Sequence, residues 1–137
     1  ISRRLYETKI SAIKCIQEVD AGPIYLKKPL SLQGNAQAIY ERAISIIGEM
    51  IKEILSSKPM PVPQVGEIVK FSRRKPEESN ISCLNSLEDV YNWIRMLDAI
   101  DYPKAFLQKN HLRLEFEEAI LCENEIEARV RIRIKHE

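Results

Sequence analysis

Little in this sequence suits a metal framework, a membrane span or binding by bulk charge. The 137 residues contain only 3 cysteines and 2 histidines. Cys15, Cys83 and Cys122 stand far apart, no CxxC or Cys/His pair forms, and His111 and His136 are isolated, so no metal site is expected. An odd, widely spaced set also argues against a disulfide scaffold and fits reduced structural thiols in a cytoplasmic protein. No apolar run approaches the roughly 18 residues of a transmembrane helix, no signal peptide opens the chain, and no membrane partner is expected. Neither sign of charge dominates: 21 Lys and Arg face 20 Asp and Glu, for a net charge of +1. That balance argues against nucleic-acid binding by bulk charge, although a local basic patch survives the averaging. With 45% hydrophobic and 30% charged residues, the chain has the composition of a packed core. Its length allows one ordinary domain or two very small ones. The first residue is Ile1, not Met, and the expectation is a piece of something longer.

Ile10 to Ile16 is an apolar-rich run of strand length, ending in Glu18-Val19-Asp20-Ala21-Gly22-Pro23, a loop punctuated by Gly and Pro. Ile24, Tyr25 and Leu26 begin a second short strand that fades at Lys27-Lys28-Pro29. After Gly34, Asn35 is a candidate N-cap for the strongest periodic segment. Ala36, Ile39, Tyr40, Ala43, Ile46, Ile47, Met50, Ile51, Ile54 and Leu55 follow i, i+3, i+4, i+7 spacing, a long amphipathic helix that Ser56-Ser57-Lys58-Pro59 ends. Its apolar face asks for more sheet than two strands supply. Pro59, Pro61 and Pro63 then forbid helix and favour an extended connector, which divides the chain into residues 1–58, a linker at 59–66, and residues 67–137.

Beyond the linker, Ile68, Val69 and Phe71 suggest a short strand before the charged loop from Ser72 to Ser79. Ser86 caps a second helix with Glu88 and Asp89 in its first turn, where the dipole favours them. Leu87, Val90, Tyr91, Ile94 and Leu97 form its buried stripe, and Asp101-Tyr102-Pro103 breaks it. Trp93, Tyr102 and Pro103 read as packing residues; Arg95 is a buried partner either for Asp98 or for a substrate. The rest is β: a strand from Ala105, a turn at Lys109-Asn110-His111, and alternation of Leu112, Leu114 and Phe116 with Arg113, Glu115 and Glu117. Glu117-Glu118 slips the alternation by one residue, as a bulge does. The last strand alternates Ile126, Ala128, Val130, Ile132 and Ile134 with Glu127, Arg129, Arg131, Arg133 and Lys135. Cross-strand ion pairs to Glu115 and Glu117 are the preferred reading of that basic face, ahead of a track for a phosphate backbone. A small barrel-like sheet with one helix fits residues 67–137.

Asp20-Ala21-Gly22-Pro23-Ile24 between two strands, the long helix, the Pro-rich connector and Phe71-Ser72-Arg73-Arg74-Lys75-Pro76-Glu77 together form a pattern. Ile94-Arg95-Met96-Leu97-Asp98-Ala99 and Tyr102-Pro103-Lys104-Ala105-Phe106 sharpen it. In this order they resemble the 10-formyltetrahydrofolate-dependent formyltransferases, in particular the sugar-nucleotide N-formyltransferases and their methionyl-tRNA formyltransferase-like relatives. The resemblance implies an α/β fold: residues 1–58 as the C-terminal part of a Rossmann-like formyltransferase domain, then a small α+β, OB-like barrel domain at 67–137.

The resemblance also implies chemistry. An amine attacks the formyl carbon of 10-formyltetrahydrofolate, and an acid–base pair moves its proton. The family uses an Asn-x-His motif and a distant aspartate; only the aspartate can be placed, at Asp20. An Asn-x-His would lie before Ile1, so the chain alone is expected to be inactive. Glu18, Val19, Asp20, Ala21 and Gly22 would line the folate pocket. Without the resemblance, Asp20 reads equally as a turn residue capping its own backbone. Arg73 and Arg74 are the candidate substrate-binding pair, because guanidinium forks match phosphate oxygens; the favoured alternative is a clamp to Glu77 or Glu78. The near-neutral charge points to a nucleotide-linked amino sugar as acceptor, ahead of methionyl-tRNA. A non-catalytic dimerisation or binding module is the reading from a different class, with a homodimer through the free edge of the C-terminal sheet.

Overall fold

The computed structural model describes residues 1–134; Lys135, His136 and Glu137 lie outside the described residues. β1 (Glu7–Ile13) and β2 (Ile24–Ser31) form an antiparallel hairpin in which Glu7 faces Ser31 and Ile13 faces Ile24. β1 therefore starts and ends before the expected Ile10–Ile16 run, because alternation rather than apolar density sets it. Ile10 and Ala12 are half-buried while Lys9 and Ser11 face solvent. β2 continues through Pro29, which a two-stranded sheet, having only edge strands, tolerates.

α1 (Ala36–Ser57) begins where Asn35 Oδ1 accepts the Ala38 N–H at 3.0 Å. It stops at Lys58, whose left-handed backbone (φ 47°) returns its N–H to Ile54 O. Its 22 residues span roughly 33 Å. Ala36, Ile39 and Met50 are buried, with β2 the strand that α1 packs on. Tyr40, Ile44, Ile47, Ile51 and Leu55, on the neighbouring face, stay exposed. Two strands cover only part of so wide an apolar surface.

The Pro-rich connector is not a free tether. Val62 and Ile24 exchange both backbone hydrogen bonds, at 2.7 and 2.9 Å. The strand expected at Ile68–Phe71 is absent. These residues carry no regular secondary structure and are exposed, and no neighbouring strand takes their backbone groups among the described residues.

A short 3-10 turn (Pro76–Ser79) leads to α2 (Leu87–Leu97), capped by Ser86 Oγ on the Asp89 N–H at 3.1 Å. α2 ends several residues before the expected break at Asp101-Tyr102-Pro103. Most of the expected stripe holds: Ile94 and Leu97 are buried, Val90 packs against the core and Tyr91 is half-buried, while Leu87 is exposed and Asn92 and Arg95 are buried beside them.

β3 (Ala105–Lys109), β4 (Leu112–Leu121) and β5 (Ile126–Ile134) form an antiparallel meander in the order β3-β4-β5. Ile81, Ile94, Leu97 and Ala105 make the core between α2 and this sheet, ringed by Trp93, Leu107 and Phe116. The β4 bulge falls where expected, between Glu117 and Ile120, with Glu118 at φ 56°. The cross-strand ion pairs form as well: Arg129 to Glu117 at 3.1 Å and Arg133 to Glu115 at 3.3 Å.

The result is a small mixed α/β fold with two sheets. Two expectations of architecture are corrected. Three strands leave the C-terminal sheet open, so no closed OB-like barrel forms among the described residues. An antiparallel hairpin under one helix is likewise no Rossmann part, which needs parallel strands joined by crossovers.

Candidate functional site

The hairpin holds the loop with the candidate catalytic aspartate. Lys14 donates to Pro23 O at 2.8 Å and closes its base. Gly22 is required there, because a Cβ would overlap the Lys14 carbonyl. Asp20 sits at the tip with φ 57°, a left-handed conformation that Asp tolerates better than most residues. The Nε2 group of Gln64, from the connector, donates to Asp20 O and Gly22 O at 2.8 Å each. Both peptide planes are thereby fixed while the Asp20 side chain remains exposed. Ile16, Glu18, Val19, Asp20 and Gly22 line a shallow pocket of about 310 Å³. Ala21, the remaining residue expected at the folate pocket, is exposed in the same loop.

A second arrangement was only half visible in the string Arg95-Met96-Leu97-Asp98-Ala99. Arg95 is 4% exposed and does not pair with Asp98. Its Nη1 donates to Leu32 O at 2.7 Å and Gly34 O at 2.8 Å, and its Nε to Asn92 Oδ1 at 2.8 Å. The guanidinium thus holds the β2–α1 turn onto α2. Asp98, 6% exposed, receives Lys104 Nζ at 2.8 Å, the Glu118 N–H at 2.9 Å and Asn35 Nδ2 at 3.1 Å. One carboxylate therefore joins the cap of α1, the end of α2 and the bulge of β4, which explains why that bulge turns its N–H inward.

Burial by itself would raise the Asp98 pKa, but Lys104, the Glu118 N–H and Asn35 outweigh it and hold the carboxyl below its ordinary value. A depressed folded-state pKa contributes stability that is fully present above the unfolded value of about 3.9 and is lost as pH falls through the folded value. The urea midpoint is accordingly expected to fall on acidification below about pH 4, and Asp98→Asn to flatten that decline. Equal acid slopes in the two proteins would remove Asp98 as a source.

Arg73 and Arg74 lie in a different place from Asp20. With Lys75, Pro76, Ser79, Leu97, Tyr102 and Pro103 they line a cleft of about 560 Å³. Arg74 Nη2 donates to the buried Ser79 hydroxyl at 2.8 Å, its Nε stands 3.8 Å from Glu78, and its guanidinium lies 5.9 Å from the Trp93 ring centroid. Both readings of the pair thus meet at Arg74, which contacts Glu78 and also faces the cleft. Tyr102, expected to pack, is 46% exposed. At the β4–β5 turn, Cys122 Sγ and the carboxylates of Glu125 and Glu127 lie within 4.8 Å of one another, a grouping that CxxC and Cys/His spacing could not reveal. Exposed carboxylates gather this way without an ion, so the cluster assigns no metal. Among the described residues, no helix is long and apolar enough to cross a membrane.

Comparison with known proteins places these features. Residues 76–133 match the family model for the methionyl-tRNA formyltransferase C-terminal domain. Methionyl-tRNA formyltransferase of Mesoplasma florum is 26% identical over 130 residues, covering 90% of this chain and 41% of its own length. The Streptococcus pyogenes enzyme of that name is 28% identical over 127 residues, covering 87% and 40%. Among solved structures, methionyl-tRNA formyltransferase from Clostridium thermocellum superposes with a TM-score of 0.94 at 44% identity, covering 98% of this chain and 60% of that one. The chain thus spans about two fifths of the length of these curated relatives.

The relatives overturn the expected acceptor. All are named for methionyl-tRNA, and none for an amino sugar carried on a nucleotide. The preference for a small-molecule partner over tRNA falls with it. It rested on whole-chain charge, which averages away the three adjacent cations of Arg73, Arg74 and Lys75. Residues 76–133 thus resemble the C-terminal domain of methionyl-tRNA formyltransferases, and the chain as a whole is similar in sequence and fold to part of such an enzyme.

Proposed function

We propose that this chain serves in transfer of a formyl group from 10-formyltetrahydrofolate to the amine of methionyl-tRNA, with Asp20 in the acid–base machinery. The observation that carries the reading is the 0.94 TM-score and 44% identity to the Clostridium thermocellum enzyme over nearly the whole chain. Residues 1–58 are assigned to the catalytic domain of the full-length protein, 59–66 to a linker and 67–137 to the C-terminal domain. A reducing cytoplasm suits the free thiols of Cys15, Cys83 and Cys122.

The residues of the Asp20 loop fit one wall of a pocket for the donor. Ile16 and Val19 expose apolar surface suited to a flat heterocycle, and Glu18 and Asp20 bring carboxylates to its edge. When bound, the donor supplies an electrophilic formyl carbon attached to nitrogen. Asp20 holds an imidazole from an Asn-x-His motif of the full-length protein, a motif absent from residues 1–137, and orders the proton that leaves the attacking amine. The fixed peptide planes at Asp20 and Gly22 keep that carboxylate in place. Arg73 and Arg74 receive phosphate of the acceptor.

The test is to incubate the full-length protein with 10-formyltetrahydrofolate and either methionyl-tRNA or a nucleotide-linked amino sugar, and to detect formylated product by mass. Formyl-methionyl-tRNA is expected, with no product from the 137-residue chain alone. Formylation of the sugar only, or of neither acceptor, overturns the proposal.

A further inference from the structure

The surface carries several clefts lined by charged groups, and they differ in one respect. In the groove between Lys104 and β5, the cations Lys104, Arg131 and Arg133 are matched by Asp101, Glu115 and Glu117. The groove beside Asp98 likewise sets Lys104 and Arg129 against Asp98, Asp101, Glu117 and Glu118. The cleft at Arg73, Arg74 and Lys75 has three cations and no carboxylate among its lining residues. Glu78, which approaches Arg74 and accepts the Lys75 backbone N–H at 3.0 Å, is not part of that lining. At about 560 Å³ this cleft is also the roomiest of the three.

Its lining combines two chemistries. On one side stand Arg73, Arg74 and Lys75, with the Ser79 hydroxyl 1% exposed and held by Arg74. Tyr102 and Pro103 also line it, and the Tyr102 ring is half exposed although it sits next to the core. Tyr40 of α1 lies beside Tyr102; burial first, and then that neighbouring phenol, raise the Tyr40 pKa. An exposed aromatic ring beside concentrated positive charge is the combination that binds an unpaired nucleotide: a ring stacks the base and the cations take its phosphate. A double helix offers phosphates but no free base face.

We propose that the cleft lined by Arg73, Arg74, Lys75, Tyr102 and Pro103 holds one unpaired nucleotide of an RNA ligand, with its base on Tyr102 and its phosphate on the cations. The identification of the ligand as RNA rests on the acceptor named under the proposed function; the cleft itself does not. Tyr102 is then a specificity-determining residue, selecting single-stranded over paired RNA.

The test uses the 137-residue chain and a fluorescently labelled single-stranded RNA octamer, with a blunt RNA duplex of the same length as comparison. Anisotropy is expected to show tighter binding to the single strand. Tyr102→Ala is expected to weaken binding about tenfold, as loss of one stacked base does, and Tyr102→Phe to leave it within about twofold. Arg73→Ala with Lys75→Ala should weaken both RNAs and reduce the slope of log K against log salt by about 1 to 2. Circular dichroism checks that each variant folds, and Tyr102→Phe keeps the ring should Tyr102→Ala lose structure. Equal binding by the parent chain and folded Tyr102→Ala, equal affinity for duplex and single strand, a tenfold loss in Tyr102→Phe, or no octamer binding each overturns the proposal. Formylation of methionyl-tRNA by the full-length protein together with no octamer binding sinks the cleft alone. Octamer binding without formylation sinks the formyl-transfer reading alone.

Discussion

Asp20→Asn in the full-length protein is expected to lower the rate of formyl transfer about 10²- to 10⁴-fold, the range over which a positioned acid–base group acts. The substitution isolates chemistry from folding for three reasons. The Asp20 side chain is exposed, so its charge contributes little to packing. Its φ of 57° suits asparagine as well as aspartate. The hydrogen bonds that shape the loop engage the Asp20 and Gly22 carbonyls, which the substitution leaves unchanged. The far-UV spectrum and urea midpoint should therefore match the parent protein while kcat collapses. Turnover within threefold of the parent would remove Asp20 from the mechanism and leave it as a turn residue.

Asp98→Ala is expected to have the largest effect on stability, a loss of about 3 kcal/mol. The methyl group would leave Lys104 Nζ, Asn35 Nδ2 and the Glu118 N–H without their shared acceptor in a nearly closed site. For a chain of this size that loss corresponds to a fall in Tm of roughly 10 °C. Asp98→Asn keeps one acceptor oxygen and should lose less, which separates lost charge from lost hydrogen bonding. A change below about 1 kcal/mol in Asp98→Ala would mean that water replaces the carboxylate without cost.

Local features were readable from the chain. The spacing from Ala36 to Leu55, with Asn35 before it, marked α1, and Ser86 followed by Glu88 and Asp89 marked the start of α2. The single-residue slip at Glu117-Glu118 marked the bulge, because alternation has a period of two and any insertion shows. What failed was non-local. Besides the nearby Asn92 side chain, Arg95 finds two of its acceptors 61 and 63 residues away, on backbone carbonyls that carry no side-chain signature. Ile68, Val69 and Phe71 have strand-forming side chains, but a strand also needs a neighbour, and composition cannot say whether one is within reach. Asp20 was picked out by its loop and its resemblance, whereas the cleft at Arg73 became visible only once the fold brought Tyr102 to it. The acceptor was misread because net charge sums over a surface on which opposite charges largely pair and one group of cations stands apart.

The pairing of Val62 with Ile24, and the reach of Gln64 to the Asp20 loop, give the connector a mechanical role. It acts as a rein: its first half is stitched to the hairpin, and slack begins only after Gln64. Proteases should therefore nick the chain among the exposed residues from Val65 to Phe71 before they cut at Val62. Inserting a residue between Val62 and Gln64 would shift the amide off both carbonyls and loosen the Asp20 loop, whereas the same insertion after Gly66 would leave the loop as it is. Anyone lengthening or splicing this segment has freedom on the far side of Gln64 and none on the near side.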